Sequence, residues 1–321
     1  MFGLGAGDLG ASTAVPRRAF PWVLRAVWVI QPFAVGPAAA RALDPHSAAV
    51  RVAASVLAWA GWAIALVATL VPHPLGLTGL RLAGPAAAAA AVWAAATGHP
   101  GTASSALAVA AGCVAAVVVL LPACAMWCVN GPAYPNERRF PLAPPGPLLL
   151  GPLEVAWAAV VGLPVAAVLL LAARQWAGGA ACLVAAAAAG WVVGRSLHGL
   201  SMRWLVFVPA GVVLHDHLSL ADPVLVRRQQ IESIGPAPAD TDSLDLTQRA
   251  IGLALELRFV EKIPMVRITP QQRKGEQGSS ARVLVTPSRA GAVLAEAATR
   301  HIPLAPPDQA ATPPPSTTGP E

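Results

Sequence analysis

Charge is scarce in this 321-residue chain: only 12% of its residues are Asp, Glu, Lys or Arg. That is about half the share of an ordinary soluble domain. The stretch from Leu82 to Asn136 carries none at all. With 55% apolar residues besides, this scarcity excludes a disordered protein and an ordinary cytosolic enzyme. Cysteine is sparse too. Cys113, Cys124, Cys128 and Cys182 all sit in apolar segments, which excludes a disulfide-stapled secreted domain. Lysine is nearly absent, with Lys262 and Lys274 against twenty arginines. Beside so much Ala, Gly and Pro, that skew reads as GC-rich coding bias. No phosphate loop, nucleophile elbow, HExxH or dinucleotide fingerprint occurs. No catalytic residue and no cofactor is therefore expected.

What is present is length of apolar sequence. Residues 52–71 lack a formal charge over twenty positions, about one bilayer crossing. Pro72-His73-Pro74 stops that helix, and Gly98-His99-Pro100-Gly101 divides the long uncharged run. The expected spans are about 19–40, 52–71, 82–97, 104–129, 153–173 and 177–194. The first carries Pro32 and Pro37, so five or six crossings are read, with a Pro-rich connection over 130–152. Arg17-Arg18-Ala19-Phe20 faintly resembles a twin-arginine export signal, but Arg25 interrupts the apolar run and further spans follow.

The arginines choose between five and six. With five spans the two sides carry similar numbers. With six, Arg17, Arg18, Arg81, Arg138, Arg139, Arg195 and Arg203 share the cytoplasmic side against Arg41, Arg51 and Arg174. Arg25 would then lie about 9 Å into the first helix and snorkel to its interface. The expectation is a multi-pass protein of the cell (inner or plasma) membrane with both ends cytoplasmic.

Behind Arg195 the composition changes. Residues 1–195 carry ten arginines against Asp8, Asp44, Glu137 and Glu154; residues 196–321 carry twelve bases and twelve acids. The basic excess flanks apolar runs instead of a soluble face, so no nucleic-acid partner is expected. Short alternating runs now predict strands at 203–208, 212–215, 224–228, 251–260, 265–269 and 282–285. Thr286 and Pro287 suit the N-cap and first turn of a closing helix. Residues 1–18 and 303–321, the latter rich in Pro and Thr, read as disordered tails.

Val208-Pro209-Ala210-Gly211-Val212-Val213-Leu214-His215-Asp216, followed by Val224 to Ile234, resembles the opening of bacterial pleckstrin-homology-like (PH-like) domains. The final strand and helix over 282–300 fit the same plan. The whole chain is similar to multi-pass membrane proteins of actinobacteria that carry such a module. The resemblance implies an α-helical polytopic membrane domain (19–200) followed by a small α+β PH-like domain (201–302), an antiparallel sheet with a C-terminal helix. It implies a binding role and no chemistry. The polar stretch Gln271–Ser280 reads as an inserted hairpin loop.

A few side chains deserve weighing. If the strand continues past His215, His215 and His217 share one face at a spacing metals use, but no third ligand is identifiable, so a polar hairpin end is preferred. Cys124 and Cys128 lie one helical turn apart; small apolar packing is preferred to a soft-metal pair. Glu137, Arg138 and Arg139 could meet a lipid headgroup or an acidic partner, or simply set topology. Glu154 opens a span, where it complements the helix dipole. The expected role is a non-enzymatic scaffold or regulator, embedded in the lipid bilayer, whose module binds a protein partner. The alternative is a small-solute transporter or membrane-embedded enzyme with a regulatory module, for which the prolines and glycines near 32–37 and 84–85 leave room.

Overall fold

The computed structural model describes residues 19–98, 101–269 and 272–305. Among the described residues six helices are long and apolar enough to cross a membrane: α1 Phe20–Leu43, α2 Ala48–Leu70, α3 Pro74–Thr97, α4 Ala103–Leu120, α6 Pro152–Ala172 and α7 Trp176–Leu200. A short helix, α5 Pro122–Asn130, follows α4. The first apolar stretch is thus one helix despite Pro32 and Pro37.

Two span boundaries differ from the sequence reading. The third span begins at Pro74 instead of near 82. A proline that cannot continue one helix is preorganised to begin the next, and the His73 ring accepts from Leu75 N at 3.1 Å. Arg81 therefore lies inside α3. The span expected over 104–129 breaks at Pro122: Leu121 is extended (ψ 140°), as the residue before a proline prefers.

The largest correction concerns the module's boundary, expected at 201. The connection between α5 and α6 supplies its own strand, β1 Arg138–Pro141, which pairs antiparallel with β2 Trp204–Val208. The first sheet runs β1-β2-β3-β4, with β3 Gly211–His215 and β4 Val224–Arg227. The second runs β5-β7-β8-β6, with β5 Ile231–Pro236, β6 Leu244–Asp245, β7 Leu255–Thr269 and β8 Gln272–Val285. Helix α8 Ala290–Thr299 closes the module. Phe140, Leu205, Phe207, Leu214, Ile234, Leu257, Val283 and Val293 form one core shared by both sheets and α8.

The runs expected separately at 251–260 and 265–269 are one fifteen-residue strand. The inserted loop of 271–280 is mostly the other arm of its hairpin, with Ile263 opposite Ser280 and Arg267 opposite Glu276. Polar composition hid it, because the apolar face of this hairpin, Ile263 and Met265, lies on β7 alone and the β8 arm has none to advertise. The closing helix starts at Ala290, later than Thr286 and Pro287 suggested. Those residues are drawn instead onto the β1 chain: Ala143 N donates to Thr286 O (2.8 Å) and Ser288 N to Pro141 O (2.8 Å). Pro303–Ala305, expected in the tail, pair with Ile234. The remaining tail segments, 1–18 and 306–321, lie outside the described residues.

Because β1 precedes α6 and β2 follows α7, both ends of the α6–α7 pair sit on the module's side. The α2–α3 turn reaches the same place, since a Cβ on Gly131 at the end of α5 would strike the Pro72 backbone.

Candidate functional site at the membrane–module joint

Strand β2 reads Trp204-Leu205-Val206-Phe207-Val208, apolar without alternation. Such a run signals burial on both faces. Leu205 and Phe207 enter the module core, where Phe207 meets Phe140 edge-on at 5.5 Å. Trp204 and Val206 point the other way, into a cluster with Phe20, Leu24, Leu77, Cys124 and Cys128. One strand thus ties two hydrophobic cores, and a rocking module would have to uncover one of them.

Polar contacts fix the register. Asn130 behaves as an extra strand residue: its Nδ2 donates to Arg139 O (2.8 Å) and its Oδ1 accepts from Arg139 N (2.9 Å). Arg139 donates through Nε to Glu137 Oε1 at 2.7 Å and lies over the Trp204 ring at 5.2 Å. That hydrogen bond, foremost, holds the Glu137 carboxyl below its usual range. Trp204 stacks in turn on His215 (5.1 Å, 24° between planes), whose Nδ1 faces Met202 O at 2.8 Å.

The deepest charges are Arg203 and Asp216. Their side chains are 1% and 3% exposed, paired in a fork of 2.7 and 2.8 Å. Arg203 Nη1 also donates to Ala143 O (3.1 Å), and Asp216 accepts from Leu218 N and Ser219 Oγ. Every charged group is met, as burial demands. Beside them His217 packs on the last turn of α7 at Gly199. Its pKa is lowered, first by lost solvation, with Arg203 adding to the fall and the opposing charge of Asp216 working against it.

The helices reach into the same joint. Thr78 Oγ1 lies 2.9 Å from His198 Nδ1, and Arg81 Nη1 donates to Ser201 Oγ at 3.4 Å. Arg25 donates to Thr69 O at 3.2 Å, meeting a carbonyl that the end of α2 leaves without a helical donor.

Of the residues singled out in the sequence, the fold gathers Glu137, Arg139, His215 and His217 here. Arg138 is the neighbouring β1 residue, opposite Phe207. Glu154 stands apart: its Oε2 accepts from Gly151 N (3.0 Å) at the start of α6. β3 ends at His215, and the two rings have separate contacts, His215 on Trp204 and at Met202 O and His217 at Gly199. Among the described residues no group of three His, Cys, Asp or Glu could hold a metal. Cys124 and Cys128 are buried and free. The sequence reading missed Trp204 and Asn130; the unbroken apolar run of β2 was the available signal. No protein-family model, curated protein or solved structure matches the chain.

Proposed function

We propose that this protein is a non-enzymatic scaffold or regulator of the cell membrane whose PH-like module binds a protein partner. The observation that carries this reading is the two-sided burial of β2. The first sheet is spent on the module core and on the helices, so the module is held at a fixed orientation. The second sheet and the β7–β8 arm remain to meet a partner. Val260, exposed on β7, and Glu261, which accepts from Gln230 Nε2 at 2.9 Å, lie on that surface. Two four-stranded sheets closed by one C-terminal helix support the PH-like assignment.

The arginine distribution supports a cytoplasmic module. Arg25, Arg81, Arg138, Arg139, Arg195 and Arg203 lie toward the module end of the bundle, and Arg41, Arg51 and Arg174 toward the other. The test is site-specific photocrosslinking of the full-length protein in its membrane, with the crosslinker at Val260 or Glu261. A discrete adduct from these positions, absent from Ser55 on α2, is expected. If no outward position on the second sheet or arm gives a discrete adduct at normal abundance, the reading fails.

A further inference from the structure

A groove of about 420 Å³ lies between α1, α2 and α3, starting at Trp28, which packs in the joint cluster, and running away from the module along α1. On α1 it follows one stripe from Trp28 to Leu43, about 22 Å at 1.5 Å per residue. On α2 the small residues Ser55, Ala58 and Gly61 alternate with Trp59 and Trp62, and the α3 wall is alanine. Ser55 and Ala58 are exposed within a spanning helix, so whatever enters comes from the bilayer.

The inner end of the groove is polar in an unusual way. Pro32 lacks the N–H that would pair with the Trp28 carbonyl, and the Trp62 indole supplies it instead at 2.7 Å. Gln31 Nε2 donates to Val27 O (3.3 Å) and Ala111 O (3.0 Å). That leaves Gln31 Oε1, an acceptor, and Trp28 Nε1, a donor, buried with no partner among the described residues. The two residues are 6% and 2% exposed and line the groove. Three positions apart, they share one face of α1. An unmet donor and an unmet acceptor inside hydrocarbon are each costly.

We propose that this groove binds a lipid-soluble alcohol: an uncharged, elongated apolar molecule with one hydroxyl. A hydroxyl donates to Gln31 Oε1 and accepts from Trp28 Nε1 together. An ether or ketone satisfies only Trp28, a hydrocarbon satisfies neither, and a carboxylate opposes the glutamine oxygen. Lateral access from the membrane and the length of the groove favour a single chain over a compact polar solute.

The test uses the full-length protein in phosphatidylcholine nanodiscs with a diazirine-bearing hexadecan-1-ol as photoprobe. Labelling is expected on α1, α2 and α3. Dodecan-1-ol, which meets both atoms, should compete about tenfold better than dodecyl methyl ether, which meets only Trp28, and better still than dodecane, at about tenfold for each net hydrogen bond. Trp28→Phe should remove the advantage of the ether over dodecane and leave dodecan-1-ol only its donation to Gln31 Oε1, about a tenfold gain, and Ala58→Leu, which fills the groove from α2, should abolish the labelling. Equal competition by dodecane, labelling spread over lipid-facing α6 and α7, or insensitivity to Ala58→Leu would overturn the proposal. In that case ordered water alone serves Gln31 and Trp28. The outcome is independent of any crosslink at the module's outer sheet.

Discussion

Replacing Asp216 by leucine should be the most damaging single change at the joint, and the damage should be partly reversible by a second. The substitution leaves the Arg203 guanidinium 2% exposed with the Ala143 carbonyl as its remaining partner. Breaking a buried ion pair from one side costs about 3–5 kcal/mol, or a fall in Tm of about 10 °C for a chain of this order of size. Removing both charges in Arg203→Met/Asp216→Leu ends the uncompensated cation. What is then lost are the hydrogen bonds to Leu218 N and Ala143 O and one of the bonds at Ser219, which keeps Gln248 Nε2 at 3.0 Å. At about 1 kcal/mol each, partly regained by apolar packing, the double variant should recover about 2 kcal/mol over Asp216→Leu. Cys124 and Cys128, buried where β2 meets the helices, report the joint opening through thermal thiol reactivity, in a background with Cys113 and Cys182 replaced by alanine. The reasoning is refuted if Asp216→Leu melts with the wild type, or if the double variant is no more stable than the single one.

Two further expectations follow from the same geometry. Glu137→Gln should weaken the joint by about 1 kcal/mol at neutral pH. The folded carboxyl titrates below its unfolded value of about 4.3, so its contribution is present above that value and disappears as pH falls through the lower folded pKa. The Tm gap between wild type and variant should therefore close in acid; a gap that persists or widens there contradicts the assignment. Single cysteines at Asp44 and Gln175 should react with an impermeant maleimide from one face of the membrane, and those at Tyr134 and Glu261 from the other. Labelling of Asp44→Cys from the module's face would defeat the six-span arrangement.

Much of the architecture was legible because apolar length and period are local properties. Twenty uncharged residues after Arg51 can only be a span or a buried helix, and 204–215 announces a hairpin through two apolar runs around Pro-Ala-Gly. Asn130 and Arg139 were not legible, since nothing local distinguishes a solvated connection from one that supplies a strand. Glu256 shows the same limit. Its alternation with Leu255 and Leu257 places it on an outward face, yet Thr241 and Ser243 cover it (2.5 Å each) and Arg258 pairs with it. Its carboxyl stays below the usual range because those hydrogen bonds outweigh the opposing loss of solvation.

By itself the sequence determined that the first three-fifths of the chain is membrane helix and the remainder a sheet-rich module, because hydrophobic burial follows composition and period. Tertiary structure alone decided that the two are not separate bodies. A strand from between α5 and α6, an apolar strand buried on both faces, and a charge pair closed off from water join them. Each depends on residues separated in sequence meeting in space, from Arg203 and Asp216, 13 positions apart, to strands β1 and β2 with two spanning helices between them. The same holds for Gln31 and Trp28: the sequence places them one turn apart on α1, but only the packing of α2, α3 and α4 leaves one acceptor and one donor unmet.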